Sequence, residues 1–218
     1  MSTSSRMTAR ELSTAVALAA AFFLRVLGLF MVLPVLALYG NRLPGATPLL
    51  IGLAIGLYGC TQALLQIPFG HWSDRYGRKP VIAVGLAVFT IGGFVAASAE
   101  HIAAVILGRA LQGAGAVSGA TLALAADLTR PEQRIKTMAI IGISIGAAFP
   151  LAFVIGPIID AHFGLHGVFL AGAAGGIGAL LLIVFAVPRV VASATPIDTT
   201  DTRSSELRSL YLGVLFLH

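Results

Sequence analysis

Charge is what this chain has least of. Asp, Glu, Lys and Arg make up 11% of its 218 residues, against about 25% in soluble domains. Hydrophobic residues make up 57%, and the mean hydropathy is +0.94. A water-soluble fold of that composition would have no surface to present to solvent, so most of the chain belongs in lipid. Cysteine occurs once, as Cys60 inside an apolar run. That excludes an internal disulfide, and the thiol reads as a packing residue. Strict polar–apolar alternation is missing, which argues against a transmembrane β-barrel. No G-x-x-x-x-G-K-[ST] occurs, so the chain is not an ATP-driven pump domain. No Asp or Glu falls midway along an apolar run; if the protein moves protons on a carboxylate, that group lies outside these runs.

What is present is a series of apolar runs. Six are long enough, at about 20 residues, to cross a bilayer: Leu12–Tyr39, Leu49–Phe69, Pro80–Ala99, Ile102–Ala126, Thr137–Ile159 and Val168–Val187. Only helices satisfy their own backbone groups in lipid. The expected fold is an all-α membrane protein, a six-helix transmembrane bundle over residues 12–187. Residues 1–11 form a short N-terminal segment. Residues 188–206 read as a polar linker rich in Pro, Ser and Thr. Residues 207–218 begin a further apolar run, either an interfacial tail or the start of a seventh, truncated span.

The few bases are placed unevenly. Of 14 lysines and arginines, all but Arg25, Arg42 and Arg109 lie before the first run, after the second, after the fourth or after the sixth. Short loops rich in Lys and Arg stay cytoplasmic, so the N-terminus and the linker are expected there. The formal charge of +5 thus belongs to a membrane surface and not to nucleic acid.

Arg25 and Arg109 lie inside spans, where insertion of arginine costs about 2.5–3.5 kcal/mol. Two readings stand: each caps carbonyls or pairs between helices, or each lines a water-filled cavity that uses its charge. The stretches around them, LRVLG (Leu24–Gly28) and GRALQG (Gly108–Gly113), resemble one another. They point to two inverted three-helix repeats, an arrangement common in transporters. Gln112 shares a helix face with Arg109, and Gly113 and Gly115 permit close helix approach. Gly156–Pro157 weakens the fifth span near its outer end, as a kink or as a flex point. Two matches are decoys. GISIG (Gly142–Gly146) has the spacing of a nucleophile elbow, but the elbow needs a strand–turn–helix. Asp160, His162 and His166 read as surface residues, and no metal or cofactor is expected.

The most charged island, GHWSDRYGRKP at 70–80, lies between the second and third runs. Arg75, Arg78 and Lys79 suit an anionic leaflet. Gly70 and Gly77 suit a sharp turn in a loop of about ten residues. Asp74 opposes anchoring and needs a partner. The island resembles the signature G-x-L-[AS]-D-R-x-G-R-[KR] of the major facilitator superfamily: Gly70, Ser73, Asp74, Arg75, Gly77, Arg78 and Lys79 match, and Trp72 replaces the usual leucine. Arg109, Gln112 and Gly113 match the family's R-x-x-Q-G. Gly156 and Pro157 match its antiporter motif in part, since Ile159, Asp160 and Ala161 stand where a glycine pair is usual. FMVLPVLALYG, IGLAIGLYGCTQALLQIPFG, ILGRALQGAGA and ADLTR are similar to the bacterial YajR-type drug-efflux-like transporters, from about residue 7 to the end.

That resemblance implies half of a twelve-helix protein of the bacterial inner membrane, with the C-terminal half as its missing partner. It implies a secondary transporter that exports small molecules by alternating access, coupled to protons, with no enzymatic activity. Asp74 would face the other half when the cytoplasmic side closes, Arg78 would join a charge relay with Asp127, and Arg109 would take part in coupling. On residues alone, Asp127 is equally a helix-end residue in a solvated loop. A sugar or metabolite exporter, or a non-transporting membrane protein, are the alternatives. If the chain ends at His218, Asp74 lacks its partner and residues 1–218 are not expected to transport alone.

Overall fold

The structure, a computed structural model, describes residues 7–115 and 117–188. The bases Arg6, Arg189, Arg203 and Arg208, nearly all of the expected linker and the apolar run at 207–218 lie outside the described residues.

The helices are α1 (Ala9–Tyr39), α2 (Pro48–Tyr76), α3 (Arg78–Ala97), α4 (Ile102–Ala114), α5 (Ser118–Asp127) and α6 (Arg134–Leu181). Short 3-10 turns follow α1 and precede α6, and a π turn, Leu182–Ala186, closes the last helix. The starts of α1 and α2 follow from local chemistry. Thr8 and Glu11 form a reciprocal capping box at the head of α1, which satisfies two of the helix's free N–H groups. Thr47 caps α2, and Pro48 occupies its first turn, where a missing N–H costs nothing.

Among the described residues, five helical spans rather than six, with α4 and α5 counted as one, are long and apolar enough to cross a membrane. The difference lies in α6, a 48-residue stretch in which two helical arms meet at non-helical backbone at Gly164. A straight helix of that length would reach about 72 Å, more than twice the roughly 30 Å hydrocarbon core. It does not stay straight. Gly164 takes φ 67° and ψ −174°, a conformation open to glycine alone. A Cβ on Gly156 would fall 2.6 Å from the Met31 carbonyl oxygen, and one on Gly28 would fall 2.9 Å from Gly172 Cα. In a straight helix, positions 156 and 172 would be about 24 Å apart; here both touch the same turn of α1. The helix therefore folds back at Gly164, and its two arms supply the fifth and sixth crossings.

Two other expectations need correction. The fourth run is not one helix: α4 stops at Ala114, Gly115 has φ −73° and ψ 45°, and α5 starts at Ser118. The ten-residue loop between the second and third runs is also absent. The ends of α2 and α3 extend past the apolar runs until only Gly77, at φ 94° and ψ 146°, separates them. Gly77 alone makes the turn. Gly70 is inside α2, with no neighbour within 4 Å of where a side chain would begin.

The interior has two apolar clusters. One joins Leu18, Phe22, Ile82, Leu86, Leu124, Ile141 and Ile183. The other joins Val32, Val35, Leu36, Val105, Val168 and Phe169. Near their junction lie the buried polar side chains Arg25, Arg109 and Gln112. α2 is the least covered helix: its buried residues are Ile51, Ala54, Tyr58, Phe69 and Ser73. Cys60 lies off that narrow stripe and is exposed, so within this half it is not the packing residue the composition implies. Gly52, Gly56 and Gly59 on α2, and Gly142 and Gly146 on the first arm of α6, likewise face open space.

Candidate functional site

The bundle gathers its charge at one end. The one-residue turn at Gly77 sets the last turn of α2 against the first turn of α3. Arg78 there reaches both Asp74 (Nη1–Oδ1 2.5 Å) and Asp127 at the end of α5 (Nε–Oδ2 3.0 Å). Its Nη1 also donates to Ser73 Oγ at 3.0 Å, and Ser73 donates to the Gly70 carbonyl at 2.7 Å. A buried serine thus fixes the guanidinium from below. Lys79 turns the other way and donates to the carbonyls of Val184 (2.8 Å) and Val187 (2.5 Å), where a cation complements the helix C-terminus. Arg75 lies 5.6 Å from the Tyr76 ring centre.

Stability does not explain this triad. Asp74 is 62% exposed and Asp127 40%. Exposed ion pairs contribute about 0–1 kcal/mol. The arrangement leaves one carboxylate, Asp74, held at the surface by an arginine that a second carboxylate holds in place.

The second constellation lies inside the bundle. Arg25, from α1, donates to the Gly115 carbonyl (3.1 Å), Ser118 Oγ (3.0 Å) and Tyr58 Oη (3.4 Å). Gly115 and Ser118 flank the interruption between α4 and α5, so Arg25 supplies donors to a carbonyl that the helix has released, as lipid requires. Arg109 is fully buried. It donates to Gln112 Oε1 (3.0 Å) and more distantly to the Ala54 carbonyl (3.4 Å), and its guanidinium lies 4.5 Å from the Tyr58 ring centre. Tyr58 therefore joins the two arginines, with its hydroxyl on one and its ring on the other. Three donors in this layer, Arg25 Nε, Arg109 Nη2 and Gln112 Nε2, are buried without a hydrogen-bond partner. Gly113 is pressed on α2: a Cβ there would fall 2.1 Å from Thr61 Oγ1 and 2.2 Å from the Tyr58 carbonyl.

Gly156 and Pro157 are separate from both constellations. Gly156 contacts Met31 on α1, and α6 continues through Pro157. The two decoys have structural uses: Ser144 donates to the Ile141 carbonyl of its own helix, His162 pairs with the Ile158 carbonyl, and His166 reaches across to the Ala97 carbonyl of α3. His162 and His166 are exposed as expected, but Asp160 is buried and is not the surface residue the sequence implies.

Three participants escape the sequence reading. Tyr58 has only its hydroxyl, in an apolar run, as a signal that it needs a buried partner. The other two are Glu11 and Arg130, which meet at the charged end with Nε–Oε1 at 2.8 Å. The Glu11 carboxylate holds the Arg130 guanidinium above the usual arginine range. Thr8 and Glu11 have capping-box spacing, which is readable; the pairing with a residue 119 positions away is not.

Comparison with known proteins agrees with this architecture. The family model for the Major Facilitator Superfamily matches residues 18–217. The inner membrane transport protein YajR of Escherichia coli is 51% identical over 183 residues, which are 84% of this chain and 40% of that protein. An uncharacterized transporter of Buchnera aphidicola is 46% identical over 178 residues, 82% of this chain and 46% of its own length. The chain thus spans less than half the length of these two relatives. A crystal structure of a human organic anion transporter, TETRAN, shares the fold with a TM-score of 0.65 at 23% identity, over 82% of this chain and 48% of that one.

Proposed function

The chain belongs to the major facilitator superfamily, and from that membership we propose that it is the N-terminal half of a proton-coupled exporter of small molecules. It acts as a transporter and not as an enzyme. It sits in a bacterial inner membrane with its N-terminus and charged end in the cytoplasm. The placement of Arg10, Arg75, Arg78, Lys79, Arg130, Arg134 and Lys136 near the cytoplasmic ends of their spans supports that orientation.

The observation that carries the reading is Arg78 held between two carboxylates at an exposed helix turn. A pair that adds little stability is accounted for by a gate. The second half closes on Asp74 when the cavity faces outward, and releases it when the cavity faces inward. The uncovered glycines of α2 and of the first arm of α6 are the surface on which that half packs, since small residues let transmembrane helices approach. The buried, unpartnered nitrogens of Arg109 and Gln112 supply donors for a polar pathway near the bilayer middle, where substrate or a hydrated proton passes.

The test uses the full-length protein in proteoliposomes with an imposed proton gradient. Asp74→Asn and Arg78→Ala are expected to lower initial transport rates by about tenfold or more while the amount of inserted protein stays constant. Wild-type rates in both variants would remove the gate.

A further inference from the structure

Glu11 is an unusual residue at the mouth of a transmembrane helix. It is buried, yet it carries a carboxylate. It accepts from two directions. Within α1, the Thr8 backbone N–H (2.8 Å) and hydroxyl (3.0 Å) donate to Oε2. From the connection between α5 and α6, Arg130 donates three times: Nε to Oε1 at 2.8 Å, Nη2 to Oε2 at 3.0 Å, and its own backbone N–H to Oε1 at 3.3 Å. A carboxylate of low exposure is tolerated when it is forked by a guanidinium and its other lone pairs are filled, and that is the state of Glu11.

The capping box does not require the charge, because glutamine serves in it as well. What the charge adds is a hold on Arg130, including its backbone. Three residues before Arg130 lies Asp127. On the other side of Asp127, Arg134 Nε donates to the Ala126 carbonyl at 3.2 Å, and Thr129 donates to the Ala125 carbonyl at 2.8 Å while touching the Thr137 hydroxyl. Asp127 is 40% exposed, and its side chain has Arg78 as partner. Its position therefore depends on the backbone that carries it, and that backbone is fixed toward α6 by Arg134 and toward α1 by Glu11.

We infer that Glu11 is a positioning residue: through Arg130 it ties the head of α1 to the segment that presents Asp127 to Arg78. The bonded path runs Thr8–Glu11–Arg130, along the chain to Asp127, then Arg78 and Asp74. Nothing on it touches substrate. Its consequence for transport rests on the gate proposed above; the anchoring itself does not.

The test is hydrogen exchange by mass spectrometry on the full-length protein in lipid nanodiscs, with initial transport rates measured in parallel. Glu11→Gln keeps the capping box and removes the charge. Arg130→Lys keeps a charge and removes the fork. Both are expected to speed exchange at residues 126–134 by about tenfold, with residues 9–14 of Glu11→Gln within about twofold of wild type. Exchange at 126–134 that stays at the wild-type level in both variants would overturn the anchoring. The transport rate is expected to fall by about threefold to tenfold, with the apparent KM unchanged. A wild-type rate in a variant whose 126–134 segment has loosened refutes the gate and leaves the anchor established.

Discussion

Arg109→Lys in the full-length protein is expected to lower substrate transport about a hundredfold, equivalent to about 2.7 kcal/mol, while the variant inserts at wild-type levels. Lysine keeps the charge, so the cost of insertion barely changes. It loses everything that depends on shape. The guanidinium of Arg109 lies over the Tyr58 ring at 4.5 Å and donates sideways to Gln112 Oε1 and to the Ala54 carbonyl. A lysine ammonium is a point donor on a flexible stem and cannot stack on a ring while donating in two directions at once. Tyr58 also accepts from Arg25, so its displacement reaches the interruption between α4 and α5. Initial rates in proteoliposomes, normalised to reconstituted protein, measure the effect. A rate within about threefold of wild type would show that charge alone is used and that the stacked geometry is incidental.

That geometry also marks where sequence reasoning stops. The crossings, the turn region at 70–80 and the buried arginines are legible because lipid imposes strong rules: apolar runs of fixed length, few charges, bases on one side. The charge triad is legible through its signature residues. The departures arise where a tertiary contact overrides the local pattern. Residues 70–76 look like loop because they are polar, yet they continue α2 outside the apolar region, and the turn shrinks to Gly77. Ile102–Ala126 looks like one helix because it is uniformly apolar. It breaks near Gly115, where Arg25 reaches in from α1 to take up a released carbonyl. The inward stripe on α2 is so narrow that an apolar setting places Cys60 on the wrong face. Glu11 and Arg130 each look like ordinary loop-side charges, and only the folded chain brings them together.

The second large effect separates two kinds of glycine that sequence cannot distinguish. Gly113→Ala is expected to destabilise the bundle by about 1–3 kcal/mol, because its Cβ would fall 2.1 Å from Thr61 Oγ1 and 2.2 Å from the Tyr58 carbonyl. The second of these is backbone, which moves only if α2 moves with it. Tyr58 would then leave both arginines, so thermal stability and transport should fall together. Gly56→Leu makes no such clash, since nothing lies within 4 Å of that site in this half. Its leucine is expected to leave hydrogen exchange in α1, α3 and α6 unchanged and yet to reduce transport by about tenfold or more, because it fills the face on which the second half packs. Transport at the wild-type rate by Gly56→Leu would mean that this face of α2 is turned to lipid, where a leucine is at home. The second half would then have to close on Asp74 without touching the α2 glycines.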